Sequence, residues 1–504
     1  MTNRLPKMFV QSAVMAIVLP TAAFAELTAL EVWDKWKNLA ESVGQTITVG
    51  SQSTKGDTLI LNDITMTMEF PDGNASSTLE FLEFRERNDG TVAITIAPDF
   101  PFSFSTNSDN TEAIDFAMII RQTGTNIIAS GDSENIDLDY LASDISLSVD
   151  KLYVDGEEID LMFEFSMNDI DGQYSLITGD TNTYSSNFSA GILTYDVRFS
   201  DPDEGGGFVA TGSMRDLQSN SLTSLPDEMD FSDPLALYKG DFSVSGGFST
   251  GQTESTIEVE DADGNFSAVT SGDGSELNFS IQNGSVAYGG SARGVQYTVR
   301  APQIPFADLS FGFSEIAFNL LMPLAQSNDP QDFAFLIRLA GFEIGDMVWN
   351  MFDPGEIMPR DPATISIDVT GQLNLLLDIF DPELADNFDG EMPAELHNLQ
   401  INNITLSAAG AEITGTGDFT FDNSDLETFD GFPAPTGVVD MSIIGINGLM
   451  DRLIQMGFLQ QDQAMGARMM LGLFTRPGNG QDTLTSTIEV TPDGSVFANG
   501  QQIR

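Results

Sequence analysis

The chain contains no cysteine in 504 residues. With no disulfide to staple it, the fold must stand on its apolar core, and thiol nucleophiles and Cys-ligated metals are excluded. Histidine is almost as scarce. His397 is the only one, which rules out any two-histidine metal site. Basic residues are few, 20 Lys and Arg against 76 Asp and Glu, for a formal charge of −56. Such a surface repels nucleic acid within a Debye length of roughly 8–10 Å, so no nucleic-acid partner is expected. With 3 tryptophans and 8 tyrosines, mostly scattered, there is no sugar-stacking platform to accompany a pair of glycosidase carboxylates. After the first 25 residues no unbroken apolar run approaches the roughly 20 residues needed to span a bilayer.

Residues 1–25 read as a secretory signal peptide. Arg4 and Lys7 supply a positive start, Met8 to Leu19 the apolar segment, and Ala23-Phe24-Ala25 the cleavage site. Export to the periplasm is expected, with a mature chain beginning at Glu26 and no transmembrane segment after cleavage. About 480 residues then remain, ample for a core of one large or several ordinary domains.

What is abundant is alternation. Thr28-Ala29-Leu30-Glu31 is a capping-box pattern opening one helix, with Val32, Trp33, Trp36, Leu39, Ala40 and Val43 on one stripe and Gly44 as its stop. From there the period is two. Ile64, Met66, Met68 and Phe70 alternate with polar residues, then Val92, Ile94 and Ile96, and turn residues such as Asn88-Asp89-Gly90 and Asp155-Gly156 separate the runs. No repeat of fixed period is visible. Asp346 to Trp349 reads as a short helix, with Trp349 and Phe352 expected to be buried and Asp353-Pro354-Gly355 as a turn. Asn447 is placed to cap a helix bearing Leu449, Met450, Leu453 and Ile454, and a second helix follows over about Asp462 to Phe474. The predicted fold is mostly β: a long curved antiparallel meander with an N-terminal helix and short C-terminal helices. Its regions are 1–25 (signal peptide), 26–300 and 301–504, the last two being either separate or one continuous unit. The sheet is expected to close mainly on its own residues, with an open groove as the alternative.

Pro302 to Gly371 carries a resemblance. Met322-Pro323-Leu324, Pro330-Gln331-Asp332-Phe333, Val348 through Pro354, and Pro359-Arg360-Asp361-Pro362-Ala363-Thr364 resemble the exported bacterial family of domain of unknown function 2125. Val32-Trp33-Asp34-Lys35-Trp36 and Gly56-Asp57-Thr58-Leu59 resemble that family's opening. The resemblance implies an envelope-associated, β-rich protein and supplies no activity or functional residues. More loosely, amphipathic strands with short C-terminal helices are similar to AsmA-like envelope proteins, whose curved sheets carry lipid.

Individual motifs yield no catalyst. Gly247-Phe248-Ser249-Thr250-Gly251 has the G-x-S-x-G spacing, but glycine-rich β sequence surrounds it and no helix follows, so it is read as chance. His397 is read as a surface or hydrogen-bonded residue. Asp261 to Asn265 and Asn168 to Gly172 lack the full calcium-loop spacing and are read as hairpin turns. No catalytic, cofactor-binding or metal-binding residue and no cofactor is assigned. With 36 Phe and 21 Met available for a soft apolar face, the expected function is non-enzymatic: binding of lipid or another hydrophobic ligand in the envelope. The alternative is a scaffold for envelope proteins, and a hydrolase is the remote third.

Overall fold

The computed structural model describes residues 27–42, 44–70, 73–106, 113–132, 134–201, 206–226, 242–261, 264–305, 308–379 and 394–504. The expected signal peptide, and parts of the turns at Pro71-Asp72 and Asp261 to Asn265, lie outside them. Of the described residues 68% are strand and 10% helix, the expected mostly-β class. Helix α1 (Ala29–Ser42) precedes β1 (Gln45–Lys55), β2 (Thr58–Phe70) and β3 (Gly73–Glu86). The next two tiers are broken strands, β4 (Val92–Ile96) with β5 (Asp99–Thr106), then β6 (Ile114–Thr123) with β7 (Asn126–Gly131). Long strands follow: β8 (Asn135–Val154), the short β9 (Glu157–Glu158), β10 (Leu161–Ile177), β11 (Thr181–Asp201) and β12 (Gly206–Pro226). Two more broken tiers are β13 (Ser243–Thr250) with β14 (Thr253–Glu260) and β15 (Phe266–Gly272) with β16 (Gly274–Gln282). Then come β17 (Ser285–Arg300), β18 (Leu309–Pro323), β19 (Gln331–Ile344), α2 (Asp346–Phe352), β20 (Ala363–Leu375), β21 (Ala394–Ala408), β22 (Ala411–Asp422) and β23 (Ala434–Ile444). Helices α3 (Ile446–Gln455) and α4 (Gln461–Phe474) lead to β24 (Arg476–Pro477), β25 (Thr483–Val490), β26 (Val496–Ala498) and β27 (Gln501–Gln502). All these strands form one antiparallel sheet whose tiers follow chain order, and the ladder runs through residue 300 by pairing β17 with β18.

A column of bends crosses this sheet. Gly50 faces Asp63, Gly124 faces Ser143, Gly191 faces Asp169, Gly251 faces Asp216, Gly294 faces Asp273 and Gly341 faces Ser314. Asp63, Asp169 and Asp216 have φ of 53°, 52° and 51°, and Gly124, Gly294 and Gly341 have 64°, 60° and 63°. Register places these pairs on one line. Asp144 pairs Asn168, Met214 pairs Thr253, and Arg293 pairs Glu315, so each bend adjoins the next. An extra left-handed residue bends its strand and switches which parity faces inward. In β10 the inward set passes from Phe165 and Met167 to Ile170, Gly172 and Tyr174 across Asp169. The slip happens in neighbouring strands together, so one face stays apolar on both sides of the bend. Asn168 to Gly172, expected as a hairpin turn, is therefore a bulge inside β10.

Helix α1 covers this inner face at the first tiers. Its capping box forms as read: the Glu31 N–H donates to Thr28 Oγ1 at 3.3 Å and the Thr28 N–H to Glu31 Oε2 at 2.9 Å. The Thr28 hydroxyl, then its backbone N–H, holds the Glu31 carboxyl below the usual carboxylate range. Glu86 of β3 accepts the Ala29 N–H at 2.9 Å and pins the helix start to the sheet. Val32 and Trp33 are buried against Leu59, Leu61, Leu82 and Phe84, and Ala40 is buried as well. The Trp33 and Trp36 rings each lie 6.1 Å from that of Phe84. The described part of the expected stripe thus packs on the sheet; the side chains of Leu39 and Val43 lie outside the described residues.

Farther along, the face does not close on itself as expected. Phe248, Phe279, Tyr288, Leu320, Phe335 and Ile365 stay 38–47% exposed.

Candidate functional site

The inner face is a continuous apolar surface because ladder partners share a face. From β8 to β21 one row reads Tyr140, Gly172, Phe188, Ser219, Phe248, Leu277, Gly290, Phe318, Ile337, Ile367, Ile404, each the partner of the one before. Ten steps of about 4.8 Å give a row roughly 48 Å long. Glycine and serine alternate with large side chains along part of it, and the Phe318 ring lies 5.0 Å from that of Tyr288 on the neighbouring tier, tilted by 47°. The opposite face is polar at the same strands. Thr364, Ser366, Asp368, Thr370 and Gln372 of β20 alternate with Ile365, Ile367 and Val369, and the Arg338–Glu315 pair lies there at 3.5 Å.

Where α1 ends its cover, a cleft of about 500 Å³ opens between helix and sheet. Val32, Lys35 and Trp36 form its helical wall, and Ile94, Ile96, Phe100, Leu138, Tyr174, Leu176 and Phe188 line the sheet side. It lies between two packed clusters, one around Phe84 and one around Ile170 and Leu193. Two of its polar side chains are already engaged. The Tyr140 hydroxyl donates to Gln122 Oε1 at 3.1 Å, and Gln122 Nε2 donates to the Ala97 carbonyl at 3.2 Å. Burial pushes the Tyr140 phenol above its usual range, and burial followed by the neighbouring Tyr184 does the same to Tyr174.

A second apolar feature sits on one rim of the sheet. Helix α2 joins β19 to β20, and α3 follows β23. Their strand ends align through Phe342–Ala363, Thr364–Ser407, Ser407–Glu412 and Glu412–Ile444. Arg452 of α3 donates to the Ala409 carbonyl at 3.2 Å on the same rim. The helices and the link between α3 and α4 expose Met351, Phe352, Phe458, Met465, Met469, Met470 and Leu473 at 56–71%. Between residues 456 and 477 the only acid is Asp462, against Arg468 and Arg476. Phe352, expected to be buried, belongs to this exposed set, and Trp349 is half-buried. Val348 within α2 and Asp353 at its C-cap are buried instead. Asp353 accepts the N–H groups of Ile357 and Met358 at 2.9 and 2.7 Å, which closes the expected turn.

The cap of α3 also differs from expectation. Gly445, at φ 72°, takes the N-cap position, and Asn447 lies inside the helix. Asp482, arriving before β25, accepts the Gly448 N–H at 2.8 Å and the Asn447 side-chain amide at 2.8 Å. Burial raises the Asp482 carboxyl, but these bonds and the Arg468 charge outweigh it and leave it below the usual range.

The motifs weighed as catalytic are not brought together. Ser249 lies within β13, paired with Gln218 and Glu276 on the face opposite Phe248, with no elbow into a helix. His397 lies in β21, six tiers away, or roughly 29 Å along the sheet. Its Nε2 is buried without a hydrogen-bond partner among the described residues. No group of three His, Asp or Glu suited to a metal occurs among the described residues, and no described helix is long and apolar enough to cross a membrane.

Residues 194–501 match the family described as an uncharacterized protein conserved in bacteria, DUF2125. The match contains the whole Pro302 to Gly371 stretch and begins after the two N-terminal motifs. No curated protein matches the chain.

Proposed function

We propose that this chain, which belongs to the DUF2125 family, is a non-enzymatic, envelope-associated periplasmic protein that binds lipid or another elongated hydrophobic ligand along its inner face. The observation that carries this reading is the open apolar row from Tyr140 to Ile404. Soluble proteins rarely leave large contiguous apolar patches in water, and here Phe248, Tyr288, Leu320 and Phe335 hold one across successive tiers. A chain of methylenes laid on such a row gains about 0.8 kcal/mol for each one removed from water. The acidic outer face keeps the particle soluble while the inner face is occupied. Native mass spectrometry of the protein purified from a periplasmic extract tests this. Co-purifying lipid, lost on Phe318→Glu with Phe335→Glu, is the expected result; a bare chain that also fails to take up added lipid would sink it.

The exposed Met and Phe side chains of α2 and α4 favour a second reading, a scaffold that docks another envelope protein on that rim. Methionine-rich surfaces adapt to varied partners. If Met469→Ser with Met470→Ser abolishes a specific pull-down while lipid loading persists, the rim serves protein contacts; if it changes neither, the scaffold reading loses its support.

A further inference from the structure

We infer that the cleft under α1 holds a single-chain amphiphile with a singly charged anionic head, its tail on the apolar floor and its head at Lys35. This rests on the lipid-binding reading and names the ligand class of one part of that surface. The chain has only 20 basic residues, yet one of them lines this apolar cleft, where it is the only Lys, Arg, Asp or Glu among the described residues. Lys35 sits three residues from Val32 and one from Trp36, so it shares their wall of the helix and is half-buried. Lys37, two residues on, pairs with Glu41 at 3.6 Å, whereas Lys35 has no ion pair among the described residues. A cation partly removed from water and left without a counter-ion is a ready partner for an anion.

The floor dictates which end goes where. Gln122 and the Tyr140 hydroxyl are already bonded to each other and to the backbone, so neither offers a free partner to a polar head, and most of the remaining sheet-side lining is apolar. Burial, then the neighbouring Tyr184, also raises the Tyr174 phenol on the same floor. About 500 Å³ lies within the range that takes one ligand of modest size. The charge number follows from the field. A chain at −56 repels a free anion, and the repulsion grows with the charge carried, so a monoanion loses least of what burial of its tail and contact with Lys35 supply.

Brominated fatty chains provide the test, because bromine quenches a nearby indole and Trp36 lines the cleft. The full exported chain carrying Trp349→Phe, which leaves Trp33 and Trp36 as the indoles, is titrated with 9,10-dibromostearate and with the matching dibromostearyl alcohol. The expected result is quenching by both, with the acid bound at least tenfold tighter. Lys35→Met should remove that preference and leave the alcohol unchanged; Lys35→Arg should retain it. Equal affinity for acid and alcohol in the parent, or a preference surviving Lys35→Met, overturns the assignment of the head while the apolar cleft stands. Quenching by neither, in a chain that still carries lipid by mass spectrometry, overturns occupancy of the cleft itself. Absence of both quenching and bound lipid would instead remove the broader lipid reading.

Discussion

The strands beneath α1 and those from β17 to β20 share one alternating pattern, yet their apolar side chains meet different fates. Phe84 of β3 is fully buried between the rings of Trp33 and Trp36, while Phe335 of β19 is 43% exposed. Both lie on the inner face, and both have aliphatic ladder partners, Leu59 and Ile94 for Phe84, Leu320 and Val369 for Phe335. Only the cover differs. Alternation in a strand decides which face is apolar; a second layer decides whether that face becomes core. Burying a phenylalanine fully is worth roughly 1.5–3 kcal/mol, and the uncovered tiers forgo a good part of that. A surface that forgoes it at tier after tier is free to give it to a ligand.

The sharpest way to break this contrast is to truncate both phenylalanines. Phe84→Ala should destabilise by about 3–5 kcal/mol, as expected for a large aromatic removed from a packed site. Phe335→Ala should lower stability by no more than about 1 kcal/mol while weakening uptake of a hydrophobic dye. Urea unfolding of the two variants side by side decides it; equal losses would mean that the C-terminal tiers are as well covered as the first.

Next in size is the cap of α3. Asp482→Ala should cost about 1 kcal/mol, a typical figure for a lost N-terminal cap. The carboxyl is held below its ordinary range in the folded chain. Its contribution is therefore present above the unfolded pKa and is lost as pH falls through the folded one. Stability measured from pH 7 downward should decline less steeply in Asp482→Ala than in the parent. Parallel profiles would show that Asp482 does not bear on stability.

The smallest effect belongs to the rim. Phe352→Ala should leave the thermal midpoint within the range expected for a surface change of about ±0.5 kcal/mol. A loss of several degrees would put Phe352 in a core, as the sequence reading of this segment expects.

Much of the fold is legible in the residues, because antiparallel strands with one wet face must alternate. Ile64, Met66 and Phe70 mark one, and Thr28 with Glu31 announces α1 through local chemistry alone. The column of bends is harder to read. Its partners, such as Asp216 with Gly251 or Asp273 with Gly294, lie at irregular separations in the chain, so no repeat betrays them. The usable signal is the parity slip: in β11 the inward residues are Phe188 and Ala190, then Leu193 and Tyr195. The cap of α3 leaves no local signal because Asp482 acts from 34 residues away. The cleft and its Lys35 depend on where a helix stops short of a sheet, which no period along the chain encodes.

The order of the tiers has a consequence for how the molecule comes apart. Each tier packs mainly on the tier before and the tier after it, so the sheet behaves as a linear array whose stability is a sum of tiers and of junctions between neighbours. Opening should then be graded. At the far end β26 and β27 have 3 and 2 residues, and amide exchange there should be fastest. Protection should climb inward through the long ladders of β8, β10, β11 and β12. A break in the middle would leave a folded block on either side, and assembly could start from any hairpin and spread both ways.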